Sequence, residues 1–217
     1  MGKLSFGVVP VTAFQQNCTL LFDEESRAGV VVDPGGDVPT IMRVIESNDL
    51  TIEAIWLTHG HIDHAGGAMD LKQKLGGVPI VGPHLDDKPL LEQLEQQARM
   101  FGSPDPATNC TPDQWLSEGD TVSFGDHRFD VYHTPGHAPG HVIFHNSANK
   151  FAQVGDTLFR GSVGRTDLWG GDTQTLIDSI RTKILPLGDD VSFICGHGPG
   201  GTLGEERRTN PFIAPGS

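Results

Sequence analysis

The 217-residue chain is poor in cysteine, in basic residues and in unbroken apolar sequence, and each shortage narrows the field. Cys18, Cys110 and Cys195 are odd in number and far apart, which speaks against a disulfide framework. No apolar run approaches the ~20 residues of a membrane-spanning helix. The opening Met1-Gly2-Lys3-Leu4-Ser5-Phe6 has neither the apolar region nor the cleavage site of a secretory signal. Phe6 also stands where a myristoylation motif wants Ser or Thr. Lys and Arg number 15 against 28 Asp and Glu, giving a net charge of −13, with no basic stripe. That balance disfavours nucleic acid and anionic membranes as partners, while leaving room for a small anionic substrate met by one or two arginines. A cytoplasmic protein of a reducing compartment is expected.

No Ser/Gly/Pro tract, charge block or repeat interrupts the chain, so residues 1–217 are expected to form one domain. Hydrophobic residues at 36% suffice for a core, and 28 glycines point to tight turns and functional loops. Short apolar runs bounded by polar or Gly/Pro residues predict strands at Cys18–Phe22, Gly29–Val32, Ile52–Thr58 and Val78–Val81. The same pattern recurs at Thr121–Phe124, Arg128–Tyr132, His141–Phe144, Phe151–Val154 and Val191–Ile194. Helical stripes run through Val38–Ser47, Gly67–Leu75, Lys88–Met100 and Thr173–Leu185, the last with Asp172 as N-cap. Two strand-rich, helix-flanked halves result. Two sheets packed on each other with helices outside would cover every apolar face.

What the chain does have in concentration is His59-Gly60-His61-Ile62-Asp63-His64, four candidate ligands within six residues. Imidazole nitrogen and carboxylate oxygen suit zinc, iron or manganese. The preceding strand ends as His59 begins, so the ligands leave a rigid strand's carboxyl end. Six residues cannot surround two cations, and further ligands are sought on Gly-rich loops after other strands. His133, His137 and His141 recur every four residues, but Pro135, Gly136, Pro139 and Gly140 forbid a helix there. His137 then sits at a loop tip and is the ligand, His141 supports it or the fold, and His133 is structural. Asp156, in Gly-Asp-Thr, is read as a bridging carboxylate, with a turn-capping role as the plainer alternative. His197 lies between glycines after a buried strand. Cys195 is read as an inert buried thiol, and His84, His127 and His145 as structural.

In order, His59, His61, Asp63, His64, His137, Asp156 and His197 resemble the signature of the metallo-β-lactamase superfamily. Thr58–Gly67, Pro135–His141, Gly155–Phe159 and Gly196–Pro199 resemble in particular the glyoxalase II-type hydrolases. Val9-Pro10-Val11-Thr12-Ala13-Phe14 and Asn210-Pro211-Phe212 extend that resemblance to their short bacterial form. The resemblance implies an α+β class, αββα sandwich of two packed mixed sheets. It implies two divalent metal ions, zinc foremost with iron or manganese as alternatives: His59, His61 and His137 on one, Asp63, His64 and His197 on the other, Asp156 between. It also implies hydrolysis of S-lactoylglutathione to lactate and glutathione, the detoxification step for methylglyoxal, with Asp63 catalytic in orienting the attacking hydroxide. Asp33, in its Asp-Pro-Gly turn, is either a support for the ligands or a turn former.

The stretch after His197 is too short for the C-terminal helical domain of longer glyoxalase II enzymes, which contributes to glutathione binding. Arg160 and Arg165 are the nearest cations for a substrate carboxylate. Gly164-Arg165-Thr166-Asp167 resembles a segment of the persulfide dioxygenases, which use mononuclear iron; that is the rival enzymatic reading. β-Lactamases usually carry Cys where Asp156 stands. A non-enzymatic module with structural zinc is the remaining alternative, though such sites are typically closed and Cys-rich.

Overall fold

The computed structural model describes residues 2–103 and 106–214. The first sheet contains β1 (Leu4–Val11), β2 (Gln16–Asp23), β3 (Ala28–Val32), β4 (Thr51–Trp56), β5 (Ile80–His84) and β6 (Gln114–Leu116), in that spatial order. β1 to β3 form an antiparallel meander, whereas β3 to β6 run parallel. Parallel neighbours need crossovers, and helices supply them. α1 (Val38–Ser47) joins β3 to β4, and α2 (Ile62–Ala65) and α3 (Ala68–Lys74) join β4 to β5. α4 (Lys88–Leu91) and α5 (Leu94–Phe101) precede β6.

The second sheet mirrors this plan. β7 (Thr121–Phe124), β8 (His127–His133), β9 (Val142–Asn146) and β10 (Phe151–Gln153) form an antiparallel run. A small ribbon of β11 (Leu158–Phe159) and β12 (Ser162–Val163) follows. Then α6 (Thr173–Ser179), continued by a π-helical turn, returns the chain to β13 (Ser192–Ile194), parallel to β10, and β14 (Gly201–Thr202) leads into α7 (Leu203–Thr209). The expected αββα sandwich of two mixed sheets is the observed architecture.

Three apolar layers explain the order of the stack. Val38, Ile41 and Ile45 of α1 pack with Ile62, Leu71, Leu91 and Leu94 against the outer face of the first sheet. Leu176, Ile180, Ile184 and Leu203 cover the outer face of the second. Between the sheets, Trp56 of β4 meets Phe144, Phe129 and Phe124 at ring-centroid distances of 5.0, 5.2 and 5.9 Å. Central strands such as β3, β9 and β10 are thus covered on both faces, which is why they read as nearly unbroken hydrophobic runs.

Several boundaries differ from the sequence expectations. β1 was not delimited by its sequence because only alternate residues of Leu4–Val11 are covered. The predicted helix Lys88–Met100 is two helices, broken where Gln93 leaves helical geometry at φ −122°. The long helix predicted over Thr173–Leu185 keeps α-geometry only to Ser179, and Asp172 caps it by accepting from the Thr175 N–H at 2.7 Å. α2 went unforeseen; four residues are too few for periodicity. No helix among the described residues is long and apolar enough to cross a membrane.

Trp56 anchors the interlayer core three residues before His59. Trp56→Ala is expected to cost about 3–5 kcal/mol, as large aromatic truncations in close-packed cores do. The urea midpoint of the variant, at unchanged m-value, measures it.

Candidate metal centre

The seven expected ligands, together with Asp33 and Asp87, emerge from one edge of the sandwich, where strands end. β3 delivers Asp33, β4 delivers His59 to His64, β5 delivers Asp87, β8 leads to His137, β10 to Asp156 and β13 to His197. Each strand is clamped in a core layer, so these loop residues start from fixed points.

Two groups of side chains result. His59, His61 and His137 bring ring nitrogens within reach of one another: His61 Nδ1 lies 3.0 Å and His59 Nε2 3.2 Å from His137 Nε2. Asp63, His64 and His197 form the second group, with Asp63 Oδ2 3.1 Å from His197 Nε2 and 3.8 Å from His64 Nε2. Asp156 stands between them. Its Oδ1 is 3.3 Å from His64 Nε2, and its Oδ2 is 3.7 Å from His137 Nε2 and 3.6 Å from His197 Nε2.

The outward nitrogens of His59, His64, His137 and His197 are tied to the protein. Asp33 is fully buried; its Oδ1 accepts from the Thr58 N–H at 2.8 Å and its Oδ2 from the Thr58 hydroxyl at 2.6 Å. Oδ2 also faces His64 Nδ1 at 2.9 Å. The Thr58 oxygen, having given its proton to Asp33, accepts from His59 Nδ1 at 3.0 Å. His137 Nδ1 donates to the Arg165 carbonyl at 2.8 Å, and His197 Nδ1 to the Phe14 carbonyl at 3.2 Å. With Nδ1 protonated in each, Nε2 is left as a lone pair aimed inward, which is the tautomer a metal ligand needs. Asp33 therefore does both things the sequence allowed: it turns the chain, at φ 53°, and orients ligands.

The electrostatics without a cation are unfavourable. Burial, reinforced by neighbouring imidazoles, holds His59 well below its ordinary value and His61 down to about 3. Burial also acts against charge on His64, yet Asp156, Asp63 and Asp33 outweigh it and push that ring well above the ordinary value. His64 Nε2 and Asp156 Oδ1 are buried and lack a hydrogen-bond partner. Such orphans cost free energy unless something fills the gap. Three lone pairs facing one another, two orphaned buried atoms and a carboxylate between two clusters fit a pair of divalent cations.

The centre forms the floor of a cavity of about 450 Å³, lined also by Phe14, Gln97, Phe159, Ser162 and Arg165. Arg165 reaches it but forks onto Asp167 at 2.7 and 2.8 Å. Arg160 does not line the cavity; it is exposed, 3.9 Å from Glu205. His141 accepts from the Asp156 N–H at 3.1 Å and so supports that residue's loop. Cys195 donates to the His197 and Pro199 carbonyls, and burial pushes its thiol up to about 12, so it is an inert thiol.

Two residues escaped sequence reasoning. Asp87 is fully buried with no cationic partner among the described residues; one oxygen accepts from the Gly60 N–H at 2.8 Å and the other from the Gly140 N–H at 2.5 Å. It staples the loop of His59 and His61 to the loop of His137. Gln97 accepts from the Ile62 N–H at 3.0 Å and donates to the Gly60 and Leu90 carbonyls. The glycine at 140 was the available signal: a Cβ there would come within 2.5 Å of the Asp87 nitrogen.

Burial raises Asp87 to about 7 against the two N–H bonds that lower it. Between its ordinary ~3.9 and that value, the folded chain holds a proton the unfolded chain has lost, so this group makes stability fall as pH rises. Asp87→Asn can accept only one of the two N–H groups and is expected to lose about 1–3 kcal/mol. Urea midpoints at pH 5 and pH 7 should show a flatter pH slope in the variant, and metal retention against a chelator should fall ~10–100-fold.

The model of the Metallo-beta-lactamase superfamily matches residues 11–197. The chain is 47% identical to the hydroxyacylglutathione hydrolase GloC of Haemophilus influenzae, over 97% of this chain and 98% of that protein. Among solved structures, the BLEG-1 B3 metallo-beta-lactamase superposes with a TM-score of 0.88 at 35% identity, covering 96% of this chain and 99% of that one. TTHA1623 in a di-iron-bound form gives a TM-score of 0.81 at 40% identity, covering 95% and 100%. With the sandwich and the edge-on His/Asp centre already in place, these likenesses leave one conclusion: the chain belongs to the metallo-beta-lactamase superfamily.

Proposed function

We propose that this protein is a glyoxalase II-type thioester hydrolase whose substrate is a glutathione thioester, S-lactoylglutathione being the reference case. The observation that carries the reading is Asp156 set between two ligand groups on the floor of an open cavity. The likeness to a hydroxyacylglutathione hydrolase over nearly its whole length supports the choice of a thioester.

His59, His61 and His137 would hold one divalent cation, Asp63, His64 and His197 the other, and Asp156 would bridge. Cations held there would supply a lowered pKa for bound water and polarisation of a carbonyl. Asp63 is the catalytic residue: its side chain is 18% exposed towards the cavity, and its carboxylate can accept a hydrogen bond from the attacking water and orient it. Thr58, Asp33 and the Arg165 and Phe14 carbonyls keep the imidazoles in their working tautomers. Phe14, Ile62, Phe159 and Val163 restrict water around the scissile bond.

Residues 1–217 work as one domain, with glutathione held by the core. Arg165 is the substrate contact of the pair of arginines, exchanging Asp167 for a substrate carboxylate; Arg160 would act only on a part of the substrate outside the cavity. Zinc is the proposed metal, and a cytoplasmic setting suits the substrate. The Gly164-Arg165-Thr166-Asp167 segment favours one second reading, an iron-dependent persulfide dioxygenase acting on glutathione persulfide.

The test is to strip the protein with a chelator and reload it separately with zinc, iron and manganese. Release of thiol from S-lactoylglutathione without oxygen uptake is the expected outcome; oxygen consumption with glutathione persulfide in the iron form alone would favour the second reading. Asp63→Ala should lower kcat ~100-fold or more, and near-full turnover in that variant would remove its assigned role.

A further inference from the structure

A second cavity, of about 280 Å³, opens beside the first between α4, α5 and the Leu168-Trp169 turn. The two share His61, Gln97, Phe101 and Leu168, so they adjoin at the His61 ring of the three-imidazole group. Asp63 and His197 line only the larger one.

The walls of the side cavity are apolar and uncharged. Pro89, Leu90, Met100, Phe101, Leu168 and Trp169 form most of it, and no Lys, Arg, Asp or Glu is among its described lining residues. The Gln97 amide is already spent on the Ile62, Gly60 and Leu90 backbone. Met100 and Trp169 are exposed by 68% and 59%, a high value for large apolar side chains beside a reactive centre. Arg165, the one Lys or Arg among the described lining residues of the main cavity, is forked onto Asp167. Charge therefore selects little in the side cavity, and desolvation of apolar surface selects most.

We propose that this side cavity is an acyl pocket, and that the favoured substrates are thioesters of apolar acyl groups longer than lactoyl, such as hexanoyl or benzoyl. The inference rests on the thioester hydrolase reading. A thioester carbonyl beside His61 sits at the seam of the two cavities. The thiol arm, with its peptide bonds and carboxylates, then falls in the larger cavity, where Ser162 and Arg165 lie. The acyl arm falls against Leu90, Phe101 and Trp169. A lactoyl group would leave most of that apolar surface to water, whereas a longer chain covers it.

The test compares S-lactoyl-, S-hexanoyl- and S-benzoylglutathione as substrates of the metal-loaded enzyme, beside binding of the inert thioethers S-methyl- and S-hexylglutathione. The hexanoyl ester is expected to exceed the lactoyl ester in kcat/KM by ~10-fold or more, and the hexyl thioether to bind tighter than the methyl one by a similar factor. Gln93→Trp, which fills the cavity from its exposed rim, should shrink both ratios, and Trp169→Ala should shrink them by removing a wall. Equal handling of short and long chains, with ratios unmoved in both variants, overturns the acyl pocket while leaving thioester hydrolysis standing. Absence of turnover for every thioester overturns the hydrolase reading and the pocket with it. A dimer that Trp169→Ala splits, with the chain-length ratio unmoved, overturns the pocket in favour of a second copy of the chain as the occupant of this face.

Discussion

The structure turns on the buried carboxylate of Asp33. It takes the Thr58 N–H, the Thr58 hydroxyl and His64 Nδ1, and through Thr58 it sets His59 as well. A carboxylate with no exposed surface is costly unless each lone pair is used, and here the donors use them. Because those donors are all committed, one ring in each ligand group is locked with Nε2 turned inward. Orientation is therefore decided before any cation arrives, which is what preorganisation requires of a catalytic site.

The same logic makes the two sheets interdependent. Four of the seven proposed ligands follow β4 in the first sheet; the other three follow strands of the second. Nothing in either sheet alone holds the ligand groups at the right spacing. Cross-links do: Asp87 joins the loops of Gly60 and Gly140, and Asn17 of β2 donates to the Cys195 and Gly198 carbonyls at 2.9 and 2.8 Å around His197. The Gly196 position completes the join, since a Cβ there would lie 2.0 Å from Asp156 Oδ1. Side-chain exchange at these supports should act as a change of distance between ligands rather than as a simple loss of packing.

Legibility in the sequence followed locality. The His59–His64 run and the layered order of strands and helices are local patterns, set by residue type at short spacing. His137, Asp156 and His197 were found because each stands on a Gly-rich loop after an apolar strand. Asp87 and Gln97 were not, because an Asp in Asp86-Asp87 and a Gln in Gln96-Gln97 look like surface residues until folding places backbone donors from 27 and 35 residues away against them. The break at Gln93 was hidden for a related reason: the apolar spacing of Leu90, Leu91 and Leu94 fits one helix as well as two, and only the fit of α5 against the His61 loop separates them.

Division of labour follows from where these constraints fall. The ligands and their supports sit on strand ends buried between layers, and altering them disturbs the centre itself. The cavity walls sit elsewhere: on α4 and α5, on the β11–β12 ribbon and on the turn that carries Leu168 and Trp169. Few backbone ladder bonds tie those walls to either sheet, and several of their apolar side chains face solvent. Exchanges there leave the Asp33 and Asp87 networks intact. A fold built this way can change its substrate with little change to its hydrolytic centre, because Met100, Phe101 and Trp169 are not among the groups that hydrogen-bond the imidazoles.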